Sequence, residues 1–327
     1  MNAMNKAIEY KIVTGSDAQE VVRRMICTSR TGSEARRAID VFSRFIDQNH
    51  IDASRQPVAL LNGQIIGYAM ILVNPGAIAG VFLPQQLPEL WGHEGLTYEG
   101  ILIELLKLLA DQMDSWDLAI IQTILGREDE SSSKQIFREG GFFPLCDLTI
   151  MESKVTADRS VCINEDVEWV AFEEAISGRF EQVILESYKD SKDCPLLTGL
   201  RTGSEVLEGH RWSGNFLPKG WWIIRHQGRD AGVILLNGSQ EDPDRLELIY
   251  MGLTHWARGR NLGRTLLAKG FDVAASLGKK IIRLAVDQKN VPARRLYDEM
   301  GFIGINQQVV LAVLNEKRRE RLRGINT

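Results

Sequence analysis

Two pairs of matching segments, set almost the same distance apart, constrain this chain more than any single motif. Gly67 in "LLNGQIIGYAMIL" (60–72) and Gly232 in "IRHQGRDAGVILL" (224–236) each follow a polar turn inside an apolar run and lie 165 residues apart. Gly141-Phe142 in "KQIFREGGFF" (134–143) and Gly301-Phe302 in "ARRLYDEMGFI" (293–303) lie 160 apart. Two offsets that close are the mark of a duplicated unit. Between the anchors each half reads in one order: an amphipathic helix (98–113 or 261–278), a β-rich run (118–125 or 280–286), then a short helix ending at Gly-Phe. The polar stretch "MESKVTADRSVCIN" (151–164) marks the join. The expected layout is an α/β (α+β) chain of two domains, 1–155 and 160–327.

Composition agrees with two domains of ordinary size, since 327 residues with 44% apolar content suffice for packed cores. A formal net charge of −4 gives no reason to expect a nucleic-acid or membrane partner. The basic tail "NEKRRERLRGINT" reads as a solvated helix end. Cys27, Cys146, Cys162 and Cys194 form no CxxC pair and the five histidines show no HxxxH spacing, so no metal site is expected. No signal-peptide core and no span of roughly 18 apolar residues is seen, and a cytoplasmic protein with reduced thiols is expected. The oligomeric state is left open.

The stretch "MGLTHWARGRNLGRTLL" (251–267) runs from a strand through a glycine-arginine turn into a helix. Such a turn presents backbone N–H groups where the helix dipole leaves roughly +0.5 of a charge, which makes an anion site. Gly259 and Gly263 permit close approach of a ligand to the backbone, and Arg258, Arg260 and Arg264 carry forks suited to phosphate oxygens. Neither GxxxxGK[ST] nor GxGxxG fits the spacing.

The turn does resemble the [QR]-x-x-G-x-[GA] signature of the GCN5-related N-acetyltransferase (GNAT) family. Arg258, Gly259, Arg260, Asn261, Leu262 and Gly263 fill it, with Asn261 at the first glycine, and asparagine tolerates positive φ best among the other residues. Downstream, "NVPARRLYDEMGF" (290–302) resembles the second signature, N-x-x-A-x-x-L-Y-x-x-x-G-F, at every named position. The resemblance covers about 163–314. In the N-terminal half "WGHEGLTYEG" replaces the turn, so that half is expected to be a degenerate copy. The fold implied is two tandem GNAT-like domains, each a mixed, mostly antiparallel central sheet flanked by helices.

What the resemblance implies for the site is specific. The turn, with Arg264, would wrap the pyrophosphate of acetyl-CoA, and the backbone of Met251, Gly252 and Leu253 would pair with its arm. Asn290 and Ala293 would meet the arm beside the next strand, Asn290 doubling as an N-cap. Acetyl transfer needs a neutral amine, and deprotonation at pH 7 costs about 1.4 kcal/mol for an α-amino group and about 4.6 for a lysine. Glu247 is the expected general base and Tyr297 the donor to the departing thiolate. "SYKDSKDCPLLTGLR" (187–201) and "GHRWSGNFLPKGWW" (209–222) are expected around the acceptor, where Trp212, Trp221 and Trp222 read either as a wall or as core, and Cys194 as a loop or buried thiol rather than a nucleophile. The expected reaction is transfer of acetyl to a primary amine of a small molecule or peptide. A CoA-responsive binding module without acetyl transfer is the alternative.

Overall fold

The computed structural model describes residues 8–28, 30–85, 96–128, 131–156 and 166–325. Residues 91–95 of the degenerate turn and 157–165 of the polar join, including Cys162, lie outside the described residues. Contacts divide the chain into two compact units, Met1–Pro144 with Leu311–Thr327, and Leu145–Val310.

The N-terminal unit runs β1 (Glu9–Val13), α1 (Gly15–Ile26), α2 (Gly32–Gln48), β2 (Gln56–Leu61), β3 (Gln64–Tyr68), β4 (Met70–Asn74), β5 (Ile78–Phe82), α3 (Tyr98–Gln112), β6 (Ile120–Gly126) and α4 (Ser131–Glu139). Helix α3 begins where Thr97 accepts from the Gly100 N–H, and it buries Ile101, Leu102, Leu105, Leu106 and Leu109, one helical stripe. Strands β4 and β5 pair antiparallel, β5 and β6 parallel.

The C-terminal unit contains β7 (Phe143–Lys154) from Leu145 onward, β8 (Val167–Ala171), α5 (Ser177–Tyr188), α6 (Gly203–Arg211), β9 (Trp221–His226), β10 (Arg229–Gly238), β11 (Arg245–Leu253), α7 (Leu262–Ser276), β12 (Ile281–Asp287), α8 (Val291–Glu299) and β13 (Ile303–Leu314) up to Val310. Its strands lie in the order β13-β7-β12-β11-β10-β9-β8. Strands β7 to β12 and β8 to β11 pair antiparallel with their neighbours, and β11–β12 is parallel. Helix α7 packs Leu262, Leu266 and Phe271 with Ile234, Leu246 and Ile282 in one core. Phe180, Ile184, Val206 and Leu207 of α5 and α6 pack with Trp221, Ile223 and Val233 in another. Adding α9 (Glu316–Ile325), the tail belongs to the N-terminal unit, and it is not a wholly solvated end. Arg318 is buried and pairs with Asp117, while Arg321 reaches Asp114.

The duplication is visible in backbone detail. The β2–β3 turn uses Asn62 (φ 55°) and Gly63 (φ 78°), and the β9–β10 turn uses Gln227 (φ 52°) and Gly228 (φ 71°), the double left-handed geometry of a tight hairpin. After α4, Gly141 (φ 92°) donates to Arg138 O and Phe142 to Phe137 O; after α8, Gly301 (φ 76°) donates to Asp298 O and Phe302 to Tyr297 O. Each helix thus ends in the same left-handed glycine cap. In this correspondence Phe137 stands where Tyr297 stands, and both rings pack on the following Phe, with centroids 5.2 and 5.6 Å apart. No helix among the described residues is long and apolar enough to cross a membrane.

Candidate active site

Strands β11 and β12 pair only from Arg245↔Ile281 to Leu248↔Leu284. Beyond Leu248 they part, because β11 carries a bulge: Leu235 of β10 faces Tyr250 and Leu236 faces Leu248, leaving Ile249 unmatched. Each strand keeps its outer neighbour, β11 staying on β10 to Leu253 and β12 on β7 to Asp287. The gap opens a cavity of about 440 Å³, walled by Leu248–Leu253, Leu284–Val286, the loop Asp190–Asp193, the turn at Arg258 and Gly259, and α8. Divergent strands leave backbone edges without sheet partners, and a ligand with its own amides can take them.

Of the residues singled out from sequence, Met251, Gly252, Leu253, Arg258, Gly259, Gly263, Asn290, Ala293 and Tyr297 all line this cavity. Elements separated by up to 46 residues in the chain therefore meet at one place. Glu247, Arg260, Asn261, Leu262 and Arg264 do not line it.

The turn presents its backbone N–H groups rather than its arginine side chains. Among the described residues no hydrogen-bond partner is found for the N–H groups of Gly259, Arg260, Asn261, Leu262 and Gly263. Gly259 (φ 74°) and Asn261 (φ 59°) are both left-handed, which turns successive amides toward the same side, and α7 begins at Leu262. A Cβ on Gly259 would meet nothing within 4 Å, so the glycine is there for its backbone angle and for an open face.

The arginine side chains do something different from what the sequence suggested. Arg258 donates to the carbonyls of Ser187 (2.9 Å), Lys189 (2.7 Å), Asp190 (3.1 Å) and Leu253 (3.3 Å). Its guanidinium closes the C-terminus of α5, where a cation is favoured, and is thereby withdrawn from phosphate duty. Arg260 donates to Trp256 O and lies over the Trp256 ring at 5.8 Å. Arg264 is paired with Glu299 at 2.5 Å. Leu262 is fully buried in the core, leaving only its N–H to the turn.

Glu247 sits one residue before the cavity wall begins. Its carboxylate is 2.7 Å from Nε of Arg245, a buried arginine that also binds Glu241 and Ser239. The acidic residues on the wall are instead Asp190 and Asp193, which belong to the stretch 187–201 expected around the acceptor but were given no individual role from sequence. Asp190 is paired with His255 at 3.2 Å.

Tyr297 is buried, and no hydrogen-bond partner for its hydroxyl is found among the described residues. Burial pushes its pKa up, so the phenol stays protonated. Asn290 caps α8 by accepting from the Ala293 N–H at 3.3 Å, while also lining the cavity. At the other end, Ser187 Oγ and Tyr250 Oη are 2.7 Å apart, Tyr188 Oη is 3.4 Å from His210 Nε2, and the His210 ring stacks on Tyr250. Burial drives His210 down to about 3, with the Arg201 charge helping, so this imidazole is neutral. Ser187 opens the stretch 187–201 expected around the acceptor, whereas no motif in the sequence marks Tyr250.

Trp221 is core, fully buried and donating to Asn237 Oδ1 at 2.9 Å. Trp222 lies under Lys269, and Trp212 donates to Glu208; neither lines the cavity.

Comparison with known proteins agrees with this geometry. The model of the acetyltransferase (GNAT) family matches residues 188–302. A mycothiol acetyltransferase of Beutenbergia cavernae is 33% identical over 99 residues, 30% of this chain and 32% of that protein, so that match spans only about a third of its length. One of Amycolatopsis mediterranei is 23% identical over 258 residues, 77% of this chain and 81% of that protein. Among solved structures, a GCN5-related N-acetyltransferase from Sphaerobacter thermophilus shares the fold with a TM-score of 0.57 at 18% identity, over 93% of this chain and 95% of that one. A tandem GNAT protein from the clavulanic acid biosynthesis pathway does so with 0.54 at 14%, over 94% and 98%. Residues 188–302 therefore match the acetyltransferase (GNAT) family, and the chain as a whole shares the fold of a tandem GNAT protein.

Proposed function

We propose that the C-terminal unit transfers acetyl from acetyl-CoA to a primary amine of a small molecule or peptide, the amine attacking the thioester directly. One observation carries this reading: the turn whose amides at 259–263 are free reaches, through Gly259 and Gly263, the same cavity as the parted edges of β11 and β12 and the unpartnered hydroxyl of Tyr297.

The residues fit the group. A diphosphate suits five N–H donors at a helix start, and the strand edge at Met251–Leu253 suits an amide-bearing arm. Bound acetyl-CoA supplies an activated acyl group. The chain supplies position, holding the reactants together and excluding water, which is worth more than any single side chain in this family of reactions. Tyr297 holds a proton at Oη through the whole working pH range, ready for a departing thiolate. Since Glu247 is engaged by Arg245, the amine is best accepted in neutral form or relieved of its proton through the polar loop Asp190–Asp193. Relatives named mycothiol acetyltransferase support the reaction class. The N-terminal unit, with Phe137 in the tyrosine's place, lacks that hydroxyl and is read as the non-catalytic copy. A cytoplasmic location remains part of the proposal.

The test is calorimetry with coenzyme A, followed by acetyl-CoA and a panel of amines with release of free thiol as readout. Micromolar binding with amine-dependent thiol release is expected. Binding without release for any amine would favour a CoA-responsive module, and no binding would remove both readings.

A further inference from the structure

The chain folds Cys146 of β7, Cys194 of the loop after α5 and Asp287 at the end of β12 onto one point of the C-terminal unit. One ligand atom from each, the two Sγ atoms and a carboxylate oxygen, lies within 4.8 Å of the others. Cys146 and Asp287 are buried, 5% and 2% exposed, and Cys194 is partly so. Asp287 Oδ2 accepts from the Cys194 N–H at 3.4 Å and faces Cys194 Sγ at 3.9 Å, while Oδ1 accepts from the Lys289 N–H at 2.9 Å. No lysine, arginine or histidine is ion-paired to Asp287 among the described residues. A buried carboxylate is ordinarily matched by a cation.

We propose that Cys146, Cys194 and Asp287 form a zinc-binding site that nothing in the sequence spacing announces. Two thiolates and a carboxylate are a donor set for a borderline-soft ion such as zinc, and too few oxygens for calcium or magnesium. Zn–S near 2.3 Å and Zn–O near 2.0 Å at tetrahedral angles put donor atoms roughly 3.5–3.8 Å apart. The three atoms reach that spacing by closing at most about 1.3 Å from the 4.8 Å limit, a matter of side-chain rotation. The fourth position is left to water. Binding releases the two thiol protons, with no oxidant or reductant involved.

The site's place says what it does. Cys194 follows Asp190–Asp193, and Asp287 precedes Asn290, so the ion would tie together two walls of the cavity without entering it. This role does not depend on the acetyl-transfer reading.

Cobalt(II) tests it on the full chain, reduced and freed of metal. One equivalent per chain is expected, with the intense near-ultraviolet absorption of thiolate-to-cobalt charge transfer, displaced by one equivalent of zinc. Zinc should also raise the melting temperature. Cys194→Ser, at a partly exposed position, should weaken cobalt binding well beyond the roughly 10–100-fold typical of losing an outer-shell partner. Asp287→Asn should weaken it while keeping the charge-transfer band, and Cys27→Ser should leave it unchanged. Circular dichroism confirms that each variant is folded. Absence of stoichiometric binding, binding by Cys194→Ser as tight as by the parent, or a Cys146–Cys194 disulfide found by mass spectrometry in a chain that binds no cobalt when reduced would each overturn the proposal.

Discussion

The guanidinium of Arg258 donates a 2.9 Å hydrogen bond to the carbonyl of Ser187 at the end of α5. The residue that opens the phosphate-type turn is therefore a fastener between that turn and the opposite cavity wall, and its charge neutralises carbonyls rather than awaiting a ligand.

Arg258→Ala should destabilise the C-terminal unit by about 2–3 kcal/mol, the range of one good hydrogen bond from a charged donor, since the more exposed bonds add little. At roughly 2–4 °C per kcal/mol for a unit of this size, the melting temperature falls by about 5–10 °C. Arg258→Lys should recover less than half, because a point charge cannot reach several carbonyls at once. Thermal unfolding followed by circular dichroism decides it, and an unchanged melting temperature for Arg258→Ala would discard the fastener.

Two cavity glycines should fail for different reasons. A Cβ on Gly252 would stand 2.5 Å from Tyr250 Oη and 2.7 Å from Ser187 Oγ, so Gly252→Ala breaks their hydrogen bond and costs about 1–3 kcal/mol. Gly259→Ala meets no atom and should cost only the left-handed backbone, about 1–2 kcal/mol. Coenzyme A affinity should nonetheless suffer more from Gly263→Asp than from Gly259→Ala, because a carboxylate at the start of α7 repels a diphosphate. Urea titration and calorimetry on the three variants check the order.

Tyr297→Phe should lower kcat by about 10²-fold, the lower end of what general acid–base help contributes, with little change in coenzyme A affinity. Its ring contacts with Phe302 and Phe271's neighbourhood survive in phenylalanine, so stability should hold. Turnover equal to the parent removes the hydroxyl from the mechanism.

Glu247→Gln separates a base from a partner of Arg245. We expect kcat within a few-fold of the parent and an unchanged pH–rate profile, with a stability loss of about 1–2 kcal/mol because Glu241 still holds the buried arginine. A collapse of kcat with loss of its acidic limb would instead make Glu247 the base.

Acid should weaken the C-terminal unit through His210. Its folded value is driven down to about 3, whereas the unfolded chain titrates near 6.5. Between these values the unfolded state binds the extra proton, so the contribution is complete above pH 6.5 and is lost as pH falls, with a slope approaching 1.4 kcal/mol per pH unit. Melting temperatures measured from pH 7.5 to 5 should fall, and His210→Gln should flatten that fall. The converse holds in alkali, where burial raises Tyr188 to about 12, and stability is lost as pH rises above 10.

The duplicated glycine caps, the hairpin turns and the strand-to-helix turn were all readable from residue order, because each depends on backbone angles that only a few residue types adopt. Residue order therefore determined the tandem α/β plan, and the family resemblance carried by its two signatures singled out Met251, Gly252, Leu253, Arg258, Gly259, Gly263, Asn290, Ala293 and Tyr297, which line one cavity. Neither determined which way a side chain faces or what meets it. Whether Arg258 points at a ligand or at α5, and whether Cys146, Cys194 and Asp287 share a point, depend on contacts between segments tens to more than a hundred residues apart, and even Glu247, two residues from Arg245, takes its side from how β11 sits in the sheet. Only tertiary structure decided those questions, because a side chain's partners are chosen by long-range strand register and packing, which local spacing does not encode.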